Sequence, residues 1–286
     1  MRSIGKEFKK IVLSDKIMLN YLNVNSLDNR VNLHYYNRSY NNSDHNLGDY
    51  LSEVVVEYFL EKKGLSLSSK VEEKKHLYAI GSILLMGYQD ATIWGSGLPF
   101  APSWLRSIPH KKVFRKLDIR CVRGPLTQKR LAALGHKCPD VYGDPAVLMP
   151  LIYNPQAVKK TQEFVIIPHF SQEANLRKKY SDACVVSMRT SDYESVIDSI
   201  CSAKKVVSSS LHGIILAESY GVPAVYYSDR PELYNFKYED WYASTDREFC
   251  VRGIDSAIEC IAPSVPDITH LQQNLINSFP YDLWSE

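Results

Sequence analysis

Residues 206–227 read VVSSSLHGIILAESYGVPAVYY, and this stretch indicates the fold class of the chain. Its first apolar run, together with the lysines before it, predicts a buried strand over 204–209, and PAVYY predicts a second strand over 223–227. Between them, 211–221 has the pattern of a short buried helix that ends at Gly221. A strand, a helix and a strand in this order are typical of the parallel sheets of α/β proteins.

The same alternation continues on both sides of this stretch. Further strands are predicted in VNLHYY (31–36), LYAIGSIL (77–84), ATIWGSGL (91–98), IRCV (119–122), EFVIIPHF (163–170) and ACVVSM (183–188), and DVYGDPAVLMP (140–150) predicts a strand and a proline-marked turn. Helices are predicted in 46–64, 125–135 and 191–203 and, near the end of the chain, within 267–284. We therefore predict an α/β fold with two Rossmann-like domains, an N-terminal one over 1–150 and a C-terminal one over 151–286 that ends in a closing helix.

Composition places the chain among soluble globular proteins and argues against a nucleic-acid partner. Hydrophobic residues make up 45% and charged residues 23% of the chain, which is ordinary for a folded protein. A net charge of +2 is too small to indicate nucleic-acid binding. The basic segment HKKVFRK (110–116) is typical of solvated surface, with a weak attraction to anionic lipid as the alternative.

The sequence also gives expectations about cellular location. Its first residues lack the apolar core and the small-residue cleavage site of a signal peptide, and no run of about eighteen uncharged apolar residues is present. The six cysteines lie far apart and form no C-x-x-C pair, which favours reduced thiols over a disulfide framework or a zinc site. We therefore expect a cytoplasmic protein without a transmembrane segment.

The joint between the strand at 204–209 and the helix after it is the first candidate site. Residues 208–210 are serines that form the turn, and the backbone N–H groups of 211–213 would face the edge of the sheet where α/β proteins bind ligands. His212 lies in the first helical turn, next to any anion bound there. The alternative is that the serines are ordinary helix caps and that the histidine only packs.

Other polar residues end strands or fall inside apolar patterns. Arg123 and His169 each end a strand, and Glu218 falls within the apolar stripe of the helix at 211–221, where a carboxylate needs a partner. Each has a structural alternative: a surface ion pair for Arg123, packing for His169 and a structural donor for Glu218. The motifs of P-loop nucleotide binding, zinc peptidases and serine hydrolases are absent, and no metal-ligand cluster is visible.

Taken in order, these joints resemble the polysaccharide pyruvyl transferase family and, within it, the bacterial exopolysaccharide ketal-pyruvate transferases. The resemblance covers about residues 46–242, and its specific part is VRGPLT and YGDP followed by SSSLHGIILAESYGVP. Its other elements are NLGDYL, IGSIL, IWGSGL, IIPHF and FKYEDWY. Several relatives have arginine where this chain has Ser210, so another cation, Arg123 or Lys237, would have to replace it.

The resemblance implies a GT-B-like arrangement, with the active site in the cleft between an acceptor-side N-terminal domain and a donor-side C-terminal domain. It implies transfer of pyruvate from phosphoenolpyruvate to a sugar as a ketal, with no metal or other cofactor. The acceptor would be a polysaccharide or a lipid-linked oligosaccharide, which would place the enzyme in the cytoplasm at the inner face of the membrane.

The resemblance also implies roles for individual residues. The implied catalytic residues are His212, His169, Glu218 and Asp49. The implied donor-binding residues are Arg123, Ser208, Ser209, Ser210, Leu211, Gly213 and Lys237. The implied acceptor-binding residues are Asn46, Gly48, Ser82, Trp94, Gly95, Ser96, Gly97, Asp240 and Trp241.

Two alternative functions stay open at this point. A GT-B glycosyltransferase would form product from a nucleotide-sugar and none from phosphoenolpyruvate. A non-catalytic sugar- or anion-binding protein would bind phosphoenolpyruvate without turnover. Several titratable groups at strand ends favour an enzyme.

Overall fold

The computed structural model describes residues 29–35, 45–156, 158–180, 184–228 and 235–285, which form a mixed α/β fold with two parallel sheets. The first sheet has the strand order β1-β2-β3-β4. Its strands are β1 at Val31–His34, β2 at Lys75–Tyr78, β3 at Ala91–Trp94 and β4 at Leu117–Cys121. All neighbouring strands pair in parallel, with Leu77 opposite Leu33 on one side and opposite Thr92 on the other.

The second sheet has the order β5-β6-β7, with β5 at Val165–Ile167, β6 at Val206–Ser208 and β7 at Ala224–Tyr226. The strand–helix–strand prediction for 204–227 is confirmed, because the helix Leu211–Ser219 connects β6 to a parallel β7. Every residue of that helix except Ser219 is buried. Its apolar composition follows from this position in the interior.

Five of the nine α-helices among the described residues, α1, α3, α5, α6 and α9 below, are those that the sequence predicts. They are α1 at Leu47–Glu61, α2 at Trp104–Ser107, α3 at Pro125–Ala133, α4 at Glu173–Lys179, α5 at Tyr193–Ser202, α6 at Leu211–Ser219, α7 at Phe236–Ser244, α8 at Ile254–Glu259 and α9 at Thr269–Ser278. Segments of 3-10 helix cover Ile108–His110, Pro145–Leu151 and Tyr281–Leu283. Helix α3 begins at Pro125. Proline is favoured in the first turn of a helix, because its missing N–H costs no hydrogen bond there.

One continuous apolar core joins the two sheets. Leu33 of the first sheet and Val206 of the second belong to the same cluster of buried residues. Helix α6 packs against the 3-10 helix at 145–151, which also contacts α1. Helix α9 returns to the first sheet, where Trp94 donates from Nε1 to the carbonyl of Leu275 at 3.0 Å. The domain division at residue 150 stays a prediction.

Two predicted strands do not form. The segment DVYGDPAVLMP, for which a strand and a proline-marked turn are predicted, makes a single bridge, between Val122 and Tyr142, in place of the strand. The chain then turns at Pro145 into 3-10 helix. Pro145 has no N–H to offer a sheet, and the carboxylate of Asp144 accepts the N–H of Ala146 at 3.1 Å instead, which starts the 3-10 helix. The described part of ACVVSM, residues 184–188, likewise makes a single bridge to β5.

Two predictions concern residues outside the described ranges. The first residues, for which we expect no signal peptide, and the last residue of VNLHYY lie outside the described residues. No described helix is long and apolar enough to cross a membrane.

Candidate active site

A cavity of about 810 Å³ lies between residues from both halves of the chain. From the first half it is lined by Asn46, Asp49 and Ser82, and from the second half by His169, Ser209, Ser210, Leu211, His212 and Lys237. All of these residues were selected from the sequence. The fold therefore brings positions that are far apart along the chain around one space.

Three α-helices begin at this cavity: α1 after Asn46, α6 after Ser210 and α7 at Phe236, beside Lys237. In none of these three described helices does the side chain of the N-cap residue accept a backbone N–H of the helix. A helix N-terminus carries partial positive charge and N–H groups without intrahelical partners. Three such ends around one cavity favour a bound anion.

Behind the cavity, Ser208 shapes the β6–α6 joint. Its hydroxyl is buried, donates to the carbonyl of Ile167 at 2.8 Å and accepts the N–H of Ser210 at 3.0 Å. A side chain at Gly213 would meet this hydroxyl at 2.6 Å, so the close packing of α6 on β5 requires glycine there. Ser208 and Gly213 do not line the cavity, and we assign them to the support of the joint rather than to direct contact with a donor.

At the rim of the cavity, Ser209 connects three elements. Its hydroxyl donates to Gln172 at 2.6 Å and accepts the N–H of His169 at 2.8 Å, while its carbonyl accepts the hydroxyl of Tyr238 at 2.7 Å. Burial, with the positive charge of Lys237, lowers the pKa of His169 from 6.5 to about 4. The imidazole of His169 is therefore neutral at pH 7.

His212 faces Asp144, a carboxylate that was not selected from the sequence. The Nε2 atom of His212 lies 3.7 Å from Oδ2 of Asp144, and neither atom has a hydrogen-bond partner among the described residues. A Cβ added at Gly48 would overlap the imidazole ring, so glycine allows α1 to approach it. A histidine backed by a buried carboxylate is suited to proton transfer. The motif YGDP contained the signal for Asp144, an aspartate before proline at the end of a strand pattern.

Asp49 and Lys237 have pKa values close to neutrality. Burial raises the pKa of Asp49 from 3.8 to about 6, although the charges of His212 and Lys237 act to lower it. Burial and the charge of Arg123 lower the pKa of Lys237 from 10.5 to about 8, against the opposing effect of Asp49. Asn46 donates from Nδ2 to the Asp49 carboxylate at 2.5 Å. Acidic and basic groups perturbed in this way are typical of catalytic sites.

Arg123 lies behind the cavity wall, fully buried and paired with Asp240 at 3.1 Å. Its Nη1 donates to the hydroxyl of Ser82 at 2.6 Å, and its Nη2 donates to the carbonyl of Leu98 at 2.7 Å. Gly97 leaves the room that this guanidinium fills. Arg123, Gly97 and Asp240 do not line the cavity. We therefore assign these three residues a positioning role instead of the predicted contacts with substrate. Arg123 acts on the cavity through its hydrogen bond to Ser82.

Glu218 has a structural partner. Arg247 donates two hydrogen bonds to its carboxylate, at 2.7 and 2.9 Å, and Trp241 donates from Nε1 at 2.8 Å. Burial raises the pKa of Glu218, and Arg247 opposes that shift. Neither Glu218 nor Trp241 lines the cavity. We therefore assign them to the packing of α6 against α7 rather than to catalysis or acceptor binding.

The IWGSGL joint is also an element of the core. Trp94 makes an edge contact with Phe279, and Ser96 donates to the carbonyl of Gly81 at 2.9 Å. Gly95 has a φ of 93°, which favours glycine. Residues 94–97 and Gly48 do not line the cavity, so among the predicted acceptor residues only Asn46 and Ser82 do.

We expect Glu218→Ala to lower the free energy of unfolding by about 3 kcal/mol, because it leaves the partly buried Arg247 without its carboxylate. Turnover per folded molecule should stay close to wild type, since Glu218 lies outside the cavity. Urea denaturation and turnover normalised to folded protein measure the two effects. Glu163→Ala, which breaks the exposed pair with Lys204, is the matched control and should change stability little. A large loss of turnover in folded Glu218→Ala would make Glu218 catalytic after all.

Several residues that were not selected from the sequence also line the cavity. They are, apart from hydrophobic ones, His45, Ser171, Gln172, Asn175, Arg189, Tyr226, Ser228 and Tyr238. Arg189 adds a cation, and its backbone pairs with that of Asn46 in an antiparallel bridge. No local pattern marks it, because it lies in a polar segment outside every motif. Within the described ranges, no group of three His, Cys, Asp or Glu side chains could hold a metal ion.

Comparison with known proteins gives one family and several relatives. A family model described as polysaccharide pyruvyl transferase matches residues 6–231. Uncharacterized protein L143 of Acanthamoeba polyphaga mimivirus is 27% identical over 191 residues, a match that covers 64% of this chain and 64% of that protein. Succinoglycan biosynthesis protein ExoV of Rhizobium meliloti (strain 1021) is 29% identical over 151 residues, covering 51% of this chain and 45% of that protein. The matches thus span less than two thirds of either relative.

Among solved structures, this chain is similar to the functional uncharacterized protein KP1_0663 of Klebsiella pneumoniae subsp. pneumoniae NTUH-K2044. The two share 14% sequence identity with a TM-score of 0.48, and the match covers 84% of this chain and 97% of that chain.

Proposed function

We propose, from the premise that this chain belongs to the polysaccharide pyruvyl transferase family, that it transfers pyruvate from phosphoenolpyruvate to a sugar and forms a pyruvate ketal. The acceptor that we propose is a polysaccharide or its lipid-linked precursor, and one relative is named for succinoglycan biosynthesis. The observation that carries the proposal is the convergence of three helix N-termini, a lysine and buried acid–base groups on one cavity. Phosphoenolpyruvate has a carboxylate and a phosphate, which the positive groups can bind. It reacts by proton transfer, for which the acid–base groups are suited.

The proposed reaction balances without a further reactant. A proton adds to C3 of phosphoenolpyruvate, which turns the methylene into a methyl group and leaves positive charge on C2. One sugar hydroxyl bonds to C2 and loses its proton. The bond between C2 and the phosphate oxygen then breaks, and a second hydroxyl of the same sugar forms the other C2–O bond. The proton of that hydroxyl leaves with the phosphate.

Lys237 and the start of α6 are proposed to hold the donor anion. Several relatives have an arginine at the position of Ser210, and another cation has to replace it here. Lys237 lines the cavity, whereas Arg123 lies behind it, so we expect Lys237 to be that cation. Its pKa of about 8 keeps it mostly protonated at pH 7. Arg189 lies on the same cavity and adds positive charge on the side of Asn46.

His212 and Asp49 are the proposed proton-transfer groups. His212, whose Nε2 lies 3.7 Å from the Asp144 carboxylate, is the group that we propose to protonate C3 or the departing phosphate. Asp49, with a pKa of about 6, is mostly ionised at pH 7 and accepts the proton of a sugar hydroxyl. The neutral His169 is a second acceptor, and Ser82 orients the sugar.

We also place the reaction in the cleft of a GT-B-like pair of domains, residues 1–150 and 151–286. Two separate sheets and a cavity lined from both halves support this arrangement. The N–H of Leu47 donates to the carbonyl of Met188 at 2.8 Å, which joins the start of α1 to the second half at the cavity. A lipid-linked acceptor would bring the enzyme to the inner face of the membrane.

The choice of donor tests the proposal. Wild-type protein is offered phosphoenolpyruvate or nucleotide-sugars, each with a panel of galactosides, glucosides and mannosides, and products are analysed by mass spectrometry. We expect a product heavier by one pyruvate less one water, with release of phosphate, from phosphoenolpyruvate alone. Sugar transfer from a nucleotide-sugar would identify a glycosyltransferase, and binding of phosphoenolpyruvate without product would identify a binding protein.

We expect turnover to persist in excess chelator. Lys237 and the helix N-termini can neutralise the charge of the donor and of the leaving phosphate, so a divalent cation is not needed for that purpose. Initial rates before and after treatment with EDTA measure the effect. Loss of turnover that a single added metal restores would contradict this expectation.

A further inference from the structure

A turn outside the candidate active site presents two adjacent apolar side chains to solvent. Val113 is 80% exposed and Phe114 is 65% exposed. Isolated exposed apolar side chains are common, whereas large neighbouring ones on a well-formed turn indicate a surface that meets another phase or another molecule. Neither residue lines the cavity, so the reaction gives no reason for their exposure.

The turn is held firmly from beneath. The N–H groups of Phe114 and Arg115 both donate to the carbonyl of Lys111, at 2.8 and 3.1 Å. The side chain of Arg115 is buried and donates to the carbonyls of Leu84 and Gln89, at 2.6 and 2.8 Å. The apolar tip therefore has a fixed shape and cannot easily fold back to cover its own side chains.

Lysines surround the tip. Lys111 and Lys112 precede it and Lys116 follows it. Lys112 and Lys116 are exposed. The N–H of Lys112 donates to the carbonyl of Leu134 at 3.0 Å, which ties the start of the turn to the end of α3. Two acids lie near the turn. Asp90 accepts the N–H of Lys116 at 2.6 Å, and the exposed Asp118, two positions after Lys116, pairs with Arg120 at 2.8 Å. The turn thus combines an apolar centre with an excess of positive charge at its edge.

We propose that this turn, residues 111–116, docks the protein on an anionic lipid bilayer. Val113 and Phe114 enter the headgroup region, while the lysines contact lipid phosphates, which is how peripheral proteins combine apolar and electrostatic binding. The turn belongs to the excursion between β3 and β4, and Pro99 near the start of that excursion lines the cavity. In one respect the inference rests on the proposed function, since a lipid-linked acceptor would lie at the same surface.

Vesicle co-sedimentation of the full chain tests the proposal, with phosphatidylcholine vesicles that contain or lack phosphatidylglycerol. We expect wild type to sediment with the anionic vesicles and to stay in solution with the neutral ones. Val113→Ser combined with Phe114→Ser should weaken binding at least about tenfold, since two apolar side chains no longer enter the bilayer. Ile261→Ser is the matched control, because Ile261 is 94% exposed and has no lysine near it in the sequence; it should bind like wild type.

A second variant, Lys111→Ser with Lys112→Ser, tests the electrostatic part and should also weaken binding about tenfold, with a smaller dependence on salt. Thermal unfolding should be unchanged in all these variants, because the replaced side chains lie at the surface. Failure of wild type to bind anionic vesicles, or an equal loss with Ile261→Ser, would overturn the proposal. Self-association without lipid that the Val113→Ser and Phe114→Ser changes abolish would instead assign the turn to a protein interface.

Turnover with phosphoenolpyruvate and a soluble sugar separates this inference from the proposed function. We expect the rate to be the same in wild type and in all the surface variants, because none of the changed residues lines the cavity. Vesicle binding without any turnover would refute the proposed function and leave the docking surface standing. Turnover without vesicle binding would refute the docking surface and leave the proposed function standing.

Discussion

His212→Ala should lower turnover with phosphoenolpyruvate about 10²-fold or more, the usual scale for the loss of a general acid or base. The imidazole lies against Gly48 and 3.7 Å from the Asp144 carboxylate, at the start of α6. If it donates a proton there, removal of the ring removes the acid while most molecules stay folded at the assay temperature. Steady-state kinetics and a denaturation curve distinguish this from a packing role, which would cost stability and spare the rate per folded molecule.

His212→Asn is the matched control for the alanine variant. Asparagine still hydrogen-bonds to a phosphate, but it cannot deliver a proton at neutral pH. We therefore expect nearly unchanged binding of phosphoenolpyruvate, measured by calorimetry, together with slow turnover. Near-normal turnover in this variant would contradict proton donation by His212. His212 would then be a phosphate ligand, and the proton donor would be another group, which is not His169, because that imidazole is neutral at pH 7.

Asp49→Asn should change activity and stability in opposite directions. We expect turnover to fall about 10²-fold, because the amide cannot accept the proton of a sugar hydroxyl. At pH 7 the same change should raise the free energy of unfolding by up to about 3 kcal/mol, which corresponds to the difference between a pKa of 3.8 and one of about 6. Urea denaturation at several pH values measures the stability effect.

The sign of the stability effect follows from the direction of the pKa shift. Burial raises the pKa of Asp49 in the folded state, so the folded chain binds this proton more tightly than the unfolded chain does. The contribution of Asp49 to stability is therefore largest below pH 3.8 and is lost as the pH rises from 3.8 to about 6. The gain from Asp49→Asn should shrink as the pH is lowered through this range. A gain that does not vary with pH, or a loss of stability at pH 7, would contradict a buried and ionised Asp49.

The fold class was predictable because it depends on local patterns. Apolar runs, a proline at the start of a helix and glycines at helix ends predicted α1, α3, α5, α6 and α9 and most strands. The YGDP segment was not predictable as 3-10 helix, since its apolar residues also fit a strand. Helices α2, α4, α7 and α8 were not predicted either. In α7 the mixed aromatic and acidic residues of FKYEDWY have no clear helical stripe.

The candidate site was predictable only in part, because its long-range pairs leave no trace in local sequence. The joint of Ser210 and His212 was found, since a serine turn before a helix is a local signal. The partners that keep Arg123 and Glu218 out of the cavity are Asp240 and Arg247, which lie 117 and 29 positions away. Nothing in the pattern around either residue shows that its charge is already satisfied.

The reaction run in D2O is the most direct test of pyruvyl transfer at this cavity. Wild-type protein is incubated with phosphoenolpyruvate and the acceptor panel, and the products are examined by mass spectrometry and proton NMR. We predict a sugar that has gained one pyruvate less one water and whose new methyl group contains a deuteron from the solvent, since C3 is protonated during transfer. Absence of a pyruvylated sugar with every acceptor, or a methyl group without solvent deuterium, would contradict the proposed reaction.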